Sequence, residues 1–112
     1  MARTRRPTGL RRPSDPPVLI LTSLADGSKH GHALAKDIEA FSGIVLGPGA
    51  LYGAMTRLEE RGLIEPLGMD DRRRPYRITA AGSAALANAV RDMRRVADVG
   101  MARLGLVAGQ IT

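Results

Sequence analysis

Apolar side chains first gather at Val18, Leu19, Ile20, Leu21 and Leu24, and they wrap almost the whole circumference of a helix rather than one stripe. Ser14 or Asp15 supplies an N-cap, Pro16 suits the first turn, and Gly27 marks a stop, which predicts a helix from about Pro16 to Ala25. Such a helix should be buried on two sides, one facing its own core and the other a partner. Leu34, Ile38 and Phe41 then recur at helical spacing while Lys36, Asp37 and Glu39 point elsewhere, so a second helix follows Ser28, Lys29 and His30 and ends at Gly43. After the link Ile44 to Leu46, Pro48 starts a third helix that runs to about Arg61 and stops at Gly62, with Leu51, Met55 and Leu58 turned inward.

Beyond Gly62 the period changes. Leu63 to Leu67 is a short apolar segment containing Pro66, and Pro75 to Thr79 alternates Tyr76 and Ile78 with outward Arg77. The pattern predicts a two-stranded hairpin whose first strand lies at an edge, because proline cannot donate to a ladder. Thr79 caps a last helix from Ala80, on which Leu86, Val90, Met93, Ala97, Met101 and Leu104 form a long apolar stripe, with Arg91, Asp92, Arg94 and Asp98 off it. One small domain has no evident internal use for that stripe, whereas the same helix of a second copy does; folding back on its own domain is the alternative. The predicted fold is mainly α with a small β-hairpin, a winged helix-turn-helix followed by a C-terminal dimerisation helix. Its division is a basic arm over 1–14, a winged-helix domain over 15–79, and the dimerisation helix with its tail over 80–112.

The third helix carries the candidate chemistry. Opposite its inward stripe lie Gly49, Gly53, Thr56, Arg57 and Glu60, with Ala50 and Tyr52 alongside. Small residues near the N-terminus permit close approach to a groove, Thr56 and Arg57 reach base edges or phosphates, and Glu59 and Glu60 discourage contact farther along. The competing reading of the two glycines is turn or packing, although each weakens a helix by about 1 kcal/mol relative to alanine. Lys29 and His30, at the start of the second helix, are placed to meet a phosphate, since helix N-termini favour anions. His30 and His32 diverge on a helix, so no metal site is expected from them.

Charge sharpens this picture. The net charge is +6 over 112 residues. Arg3, Arg5, Arg6, Arg11 and Arg12 crowd the start with no acid among residues 1 to 14, and Arg72, Arg73, Arg74 and Arg77 crowd the hairpin. Over residues 28 to 69, Lys29, Lys36, Arg57 and Arg61 stand against Asp37, Glu39, Glu59, Glu60 and Glu65. Two basic zones flanking a near-neutral body suit a phosphate backbone, and Arg72, Arg73 and Arg74 at the wing tip are candidates for phosphate or minor-groove contact. The other reading of such runs is a solvated tail or loop.

The remaining composition narrows the class. No cysteine is present, which excludes disulfides and thiolate metal sites, and no apolar run approaches the roughly 20 residues that cross a bilayer. A cytoplasmic protein without membrane partners is expected. No Ser-His-Asp set, phosphate-binding glycine loop or paired carboxylates in an apolar setting supports an enzyme, and no cofactor is implied. At this length the core is marginal, which favours a homodimer.

Several stretches are similar to the PadR family of transcriptional regulators, in particular its short members with one C-terminal helix. They are Lys29-His30-Gly31-His32-Ala33-Leu34, Gly47-Pro48-Gly49-Ala50-Leu51-Tyr52, Leu58-Glu59-Glu60-Arg61-Gly62-Leu63-Ile64, and Arg74-Pro75-Tyr76-Arg77-Ile78-Thr79-Ala80-Ala81-Gly82. The resemblance spans roughly Val18 to Leu104. It implies a homodimer that sets a third helix from each copy in successive major grooves of a near-palindromic operator on double-stranded DNA, with wings on the adjacent backbone. It also implies repression relieved by a small-molecule effector near the dimer interface. Tyr52 matches the family's helical tyrosine, whose phenol donates to a phosphate; burial in the core is the alternative. The dimer interface is expected to use Leu19, Leu86, Val90, Met93, Ala97, Met101 and Leu104. Some members sandwich planar ligands between tryptophans, and this chain has no tryptophan. A general nucleic-acid binder driven by the arginine-rich arm is the competing function.

Overall fold

In the computed structural model, which describes residues 10–68 and 74–106, Pro16 and Pro17 open helix α1, Pro16–Leu24. Pro17 takes away one of the two amides that an N-cap side chain ordinarily engages. The Asp15 carboxylate turns backward instead, accepting from the amides of Arg11 at 3.0 Å and Arg12 at 2.8 Å and from Arg12 Nε at 3.2 Å. Burial pushes the Asp15 carboxyl upward, but these donors outweigh it and leave the group below its ordinary value. The last residues before α1 are thereby folded onto its start, and Leu10 lies partly buried against the core.

Helix α2, Gly31–Ser42, and helix α3, Pro48–Glu60, follow. Strands β1, Ile64–Pro66, and β2, Tyr76–Ile78, pair antiparallel, and helix α4, Ala80–Arg103, closes the described chain. This is the expected order of three helices, hairpin and long helix. The basic arm up to residue 9, the wing tip with Arg72 and Arg73, and the tail from residue 107 lie outside the described residues.

α1 is the centre of the molecule. It packs against α2, α3, α4 and β2, so its whole apolar circumference is covered within one chain. Leu19 is 3% exposed and belongs to one core with Ile20, Leu21, Leu24, Leu34, Ile38, Leu51, Met55, Leu58 and Ile64. The expectation that one side of α1 awaits a partner is therefore corrected, and Leu19 leaves the candidate dimer set because its own fold already buries it. Phe41 departs from its expected inward stripe in the same way: it sits in the last turn of α2, beyond the buried Leu34 and Ile38, and is 46% exposed.

Two polar devices fasten the helices. Ser23, buried in α1, donates to Asp37 Oδ2 of α2 at 2.6 Å, which satisfies a hydroxyl that would otherwise be costly inside. Thr79 links the end of α3, the wing and α4. Its hydroxyl donates to the Gly62 carbonyl at 2.7 Å and accepts from the Gly82 amide at 3.0 Å, while its own amide donates to Leu63 O at 3.1 Å. Gly62 has φ of 74°, a left-handed turn that favours glycine. Gly82 is required by contact rather than conformation, since a Cβ there would lie 2.0 Å from Leu63 O.

The wing register pairs Ile64 with Ile78, Glu65 with Arg77, and Pro66 with Tyr76. Tyr76 exchanges both backbone hydrogen bonds with Lys29 on its other side, at 3.1 and 2.9 Å. Pro66 thus faces a residue that asks nothing of it, on the outer edge of the sheet, which is where a residue without an N–H is tolerated.

Candidate nucleic-acid interface

α3 begins at Gly47, whose extended backbone hands the chain to Pro48 in the first turn. Leu51, Ala54, Met55 and Leu58 are buried, so the amphipathic pattern fixes which side of the helix is left outside. That side presents Gly49, Ala50, Tyr52, Thr56 and Arg57 as exposed residues and Gly53 as half-buried.

The two glycines are the most informative positions on it. A Cβ added at Gly49 would meet nothing within 4 Å, and one added at Gly53 would meet only Arg57 Nη1, at an ordinary 3.6 Å. Neither site shows a positive φ. Among the described residues, packing therefore supplies no reason for glycine at either position, which counts against the turn or packing reading. Two helix-weakening residues remain on an outward face, together with an Arg57 guanidinium lying back over Gly53. Thr56 donates its hydroxyl to Tyr52 O at 2.9 Å, which leaves its methyl and its oxygen lone pairs facing outward.

Tyr52 is 51% exposed, so it is not a core residue. Its ring lies across the start of α2, where Gly31 is buried beneath it. α2 is capped by His30, whose Nδ1 accepts from the Ala33 amide at 3.4 Å. The outer face of α3 and the first turn of α2 are thus joined into one surface through the phenol.

Lys29 belongs elsewhere. Its ammonium donates to the Ser23 carbonyl and to Asp26 Oδ1, the latter at 2.6 Å, and lies 3.9 Å from Asp37 Oδ2. The hydrogen bond and the charge from Lys29 hold the Asp26 carboxyl below its ordinary value. The expectation that Lys29, at the start of α2, meets a phosphate is corrected, because the structure commits its side chain to the turn after α1 and its backbone to β2. No periodicity or composition signal announces that commitment. His32 is exposed, and among the described residues no group of three or more His, Asp or Glu side chains is gathered as for a metal ion.

Arg74, two residues before β2, is exposed. On α4, Leu86 leans on the core and Met93 and Met101 are half-buried, whereas Val90 is 45% exposed, Leu104 is 75% exposed, and Ala97 is open. Among the described residues no helix is long and apolar enough to cross a membrane.

Comparison with known proteins agrees with this architecture. The model of the Transcriptional regulator PadR-like family matches residues 20–88. An uncharacterized 37.1 kDa protein in transposon TN4556 of Streptomyces fradiae is 45% identical over 85 residues, which are 76% of this chain and 25% of that protein. The chain spans about a quarter of that relative's length. Transcriptional regulator Rv3488 of Mycobacterium tuberculosis is 40% identical over 81 residues, covering 70% of this chain and 75% of the mycobacterial protein. A crystal structure of a PadR family transcription regulator from Clostridium difficile R20291 shares the fold, with a TM-score of 0.70 at 24% identity over 80% of this chain and 96% of the other.

Proposed function

The chain belongs to the PadR-like family, a family of transcriptional regulators and not of enzymes, and from that premise we propose that it is a sequence-specific DNA-binding repressor acting as a homodimer. The observation that carries the reading is the outward face of α3. It exposes Thr56, Arg57 and Tyr52 beside two glycines that packing among the described residues does not require. Glycines there let the helix backbone come closer to a groove floor than any larger residue would.

The proposed contact set is His30, Gly49, Ala50, Tyr52, Gly53, Thr56 and Arg57, with Arg72, Arg73 and Arg74 of the wing on the flanking backbone. Lys29 is left out because its ammonium already has acidic and carbonyl partners. The stripe of Leu86, Val90, Met93, Ala97, Met101 and Leu104 on α4 is proposed to meet its copy in a second chain, setting two α3 helices at two-fold-related positions on a near-palindromic operator. The proposed site of action is the cytoplasm. A small-molecule effector is proposed to act at the paired α4 helices; with no tryptophan in the chain, Met93 and Met101 would supply the adaptable surface.

The test is selection of duplexes from a random library, followed by titration of the selected sequence and of random duplex at one salt concentration. The expected result is a preference of about a thousandfold or more for the selected sequence, in the range of specific regulators. Equal affinity for both duplexes overturns sequence-specific regulation in favour of general nucleic-acid binding by the arginine-rich arm.

A further inference from the structure

Gly31 opens α2 and is buried, yet the group that buries it is the half-exposed phenol of Tyr52 from another helix. A Cβ built on Gly31 would stand 2.2 Å from Tyr52 Oη and 2.8 Å from both Cε1 and Cζ. No side chain larger than hydrogen fits at position 31 while the ring stays where it is. The backbone does not demand glycine there, since the φ of Gly31 is not positive and residue 31 is an ordinary first helical position. The ring is what demands it.

We propose that Gly31 is a positioning residue for DNA binding: its missing side chain lets the Tyr52 phenol lie flat against the start of α2, which holds the hydroxyl ready for a backbone phosphate. This inference rests on the reading of α3 as the DNA-facing helix. A tyrosine with half its surface in solvent would otherwise sample several rotamers and lose that freedom on binding. Resting on Gly31, it is ordered in advance. Among the described residues the Tyr52 hydroxyl has no hydrogen-bonding partner, so its donor stays available. Tyr52 is half in solvent and outside the buried core, so a methyl at position 31 is expected to displace the phenol rather than the core beneath α3.

The experiment compares the full chain with Gly31→Ala, Tyr52→Ala, the double variant and Arg57→Ala, using thermal unfolding and fluorescence anisotropy. The probes are the duplex that the wild-type chain selects and a random-sequence duplex. Gly31→Ala is expected to weaken binding about tenfold, the size of one lost hydrogen bond to a charged group, by the same factor on both duplexes because a phosphate contact carries no sequence. In the Tyr52→Ala background the same change is expected to cost nothing further. The melting temperature is expected to stay within about 4 °C of wild type.

Unchanged affinity in Gly31→Ala alongside losses in Tyr52→Ala and Arg57→Ala overturns the inference and leaves the functional reading intact. An equal loss with and without Tyr52, a loss confined to the selected duplex, or a large fall in melting temperature also overturns it, because Gly31 would then serve the fold or the pose of α3. Neutral results for both Tyr52→Ala and Arg57→Ala overturn the reading of α3 and this inference with it.

Discussion

A glycine on the outside of a helix is informative only once the inside has been searched for a reason to keep it. Gly82 has such a reason in the carbonyl of Leu63, and Gly31 has one in the ring of Tyr52; Gly49 and Gly53 have none among the described residues. Stability and DNA affinity should therefore move in opposite directions at Gly53. Gly53→Ala is expected to stabilise α3 by about 1 kcal/mol, since alanine loses less backbone freedom and its methyl meets only Arg57. Against DNA, the same methyl intrudes on the closest approach, and a poorly accommodated methyl costs about 1–3 kcal/mol, or about tenfold or more in affinity. Thermal melts and titrations of one protein preparation check both halves. A variant that melts higher and binds as tightly as before would detach Gly53 from the groove.

At the scale of elements, the chain's punctuation is legible in its sequence. Pro16, Pro48 and Thr79 open helices where expected, Gly43 and Gly62 close them, and the switch from helical to alternating period at Leu63 marks the wing. What the pattern hid is which neighbour uses each face. The unbroken apolar belt of α1 looks the same whether a second chain or four elements of its own chain cover it, and for that reason the pattern alone places Leu19 at a dimer interface. Lys29 was hidden for a related reason: its partners are a backbone carbonyl and two acids at different sequence distances, and charge spacing cannot reveal such a tie. The Tyr52–Gly31 contact joins two helices in the same way. The seam between wing and α4 was half legible, through Thr79 as a cap, whereas the closeness of Gly82 to Leu63 O was not. That seam sets the angle of α4 against α3, and it tolerates no added atom. Gly82→Ala is expected to destabilise the fold by about 2–3 kcal/mol, because the obstructing atom is backbone, which cannot rotate aside. Denaturant unfolding measures this, and a loss below about 0.5 kcal/mol would mean that the seam yields.

For the whole molecule, the question is what α4 is for. It is 24 residues long, about 36 Å at the helical rise, yet Ala89 is its last buried residue. The stripe of Val90, Met93, Ala97, Met101 and Leu104 runs along the same side of the helix that Gly82 and Ala89 begin, so the buried face of the first turns continues into a stretch that the described residues leave half-buried or exposed. Val96 and Val99 add exposed apolar surface beside it, at 73% and 44%. An aliphatic stripe of this length is the surface that the proposed homodimer would cover with a second α4. Ala97 is the position at which this can be tested cleanly, because it is exposed in the single chain and glutamate is a good helix former. Ala97→Glu should leave the helical content and the monomer core unchanged while placing a carboxylate from each copy in the seam. Burying an unpaired charge costs about 3 kcal/mol or more, which is over a hundredfold in the dimer dissociation constant. Sedimentation equilibrium is expected to show a monomer at concentrations where the wild-type chain is paired. Titration with the selected duplex should then show weak binding of single half-sites, since two recognition helices no longer arrive together. A variant that still sediments as a dimer would place the subunit contact somewhere other than this stripe.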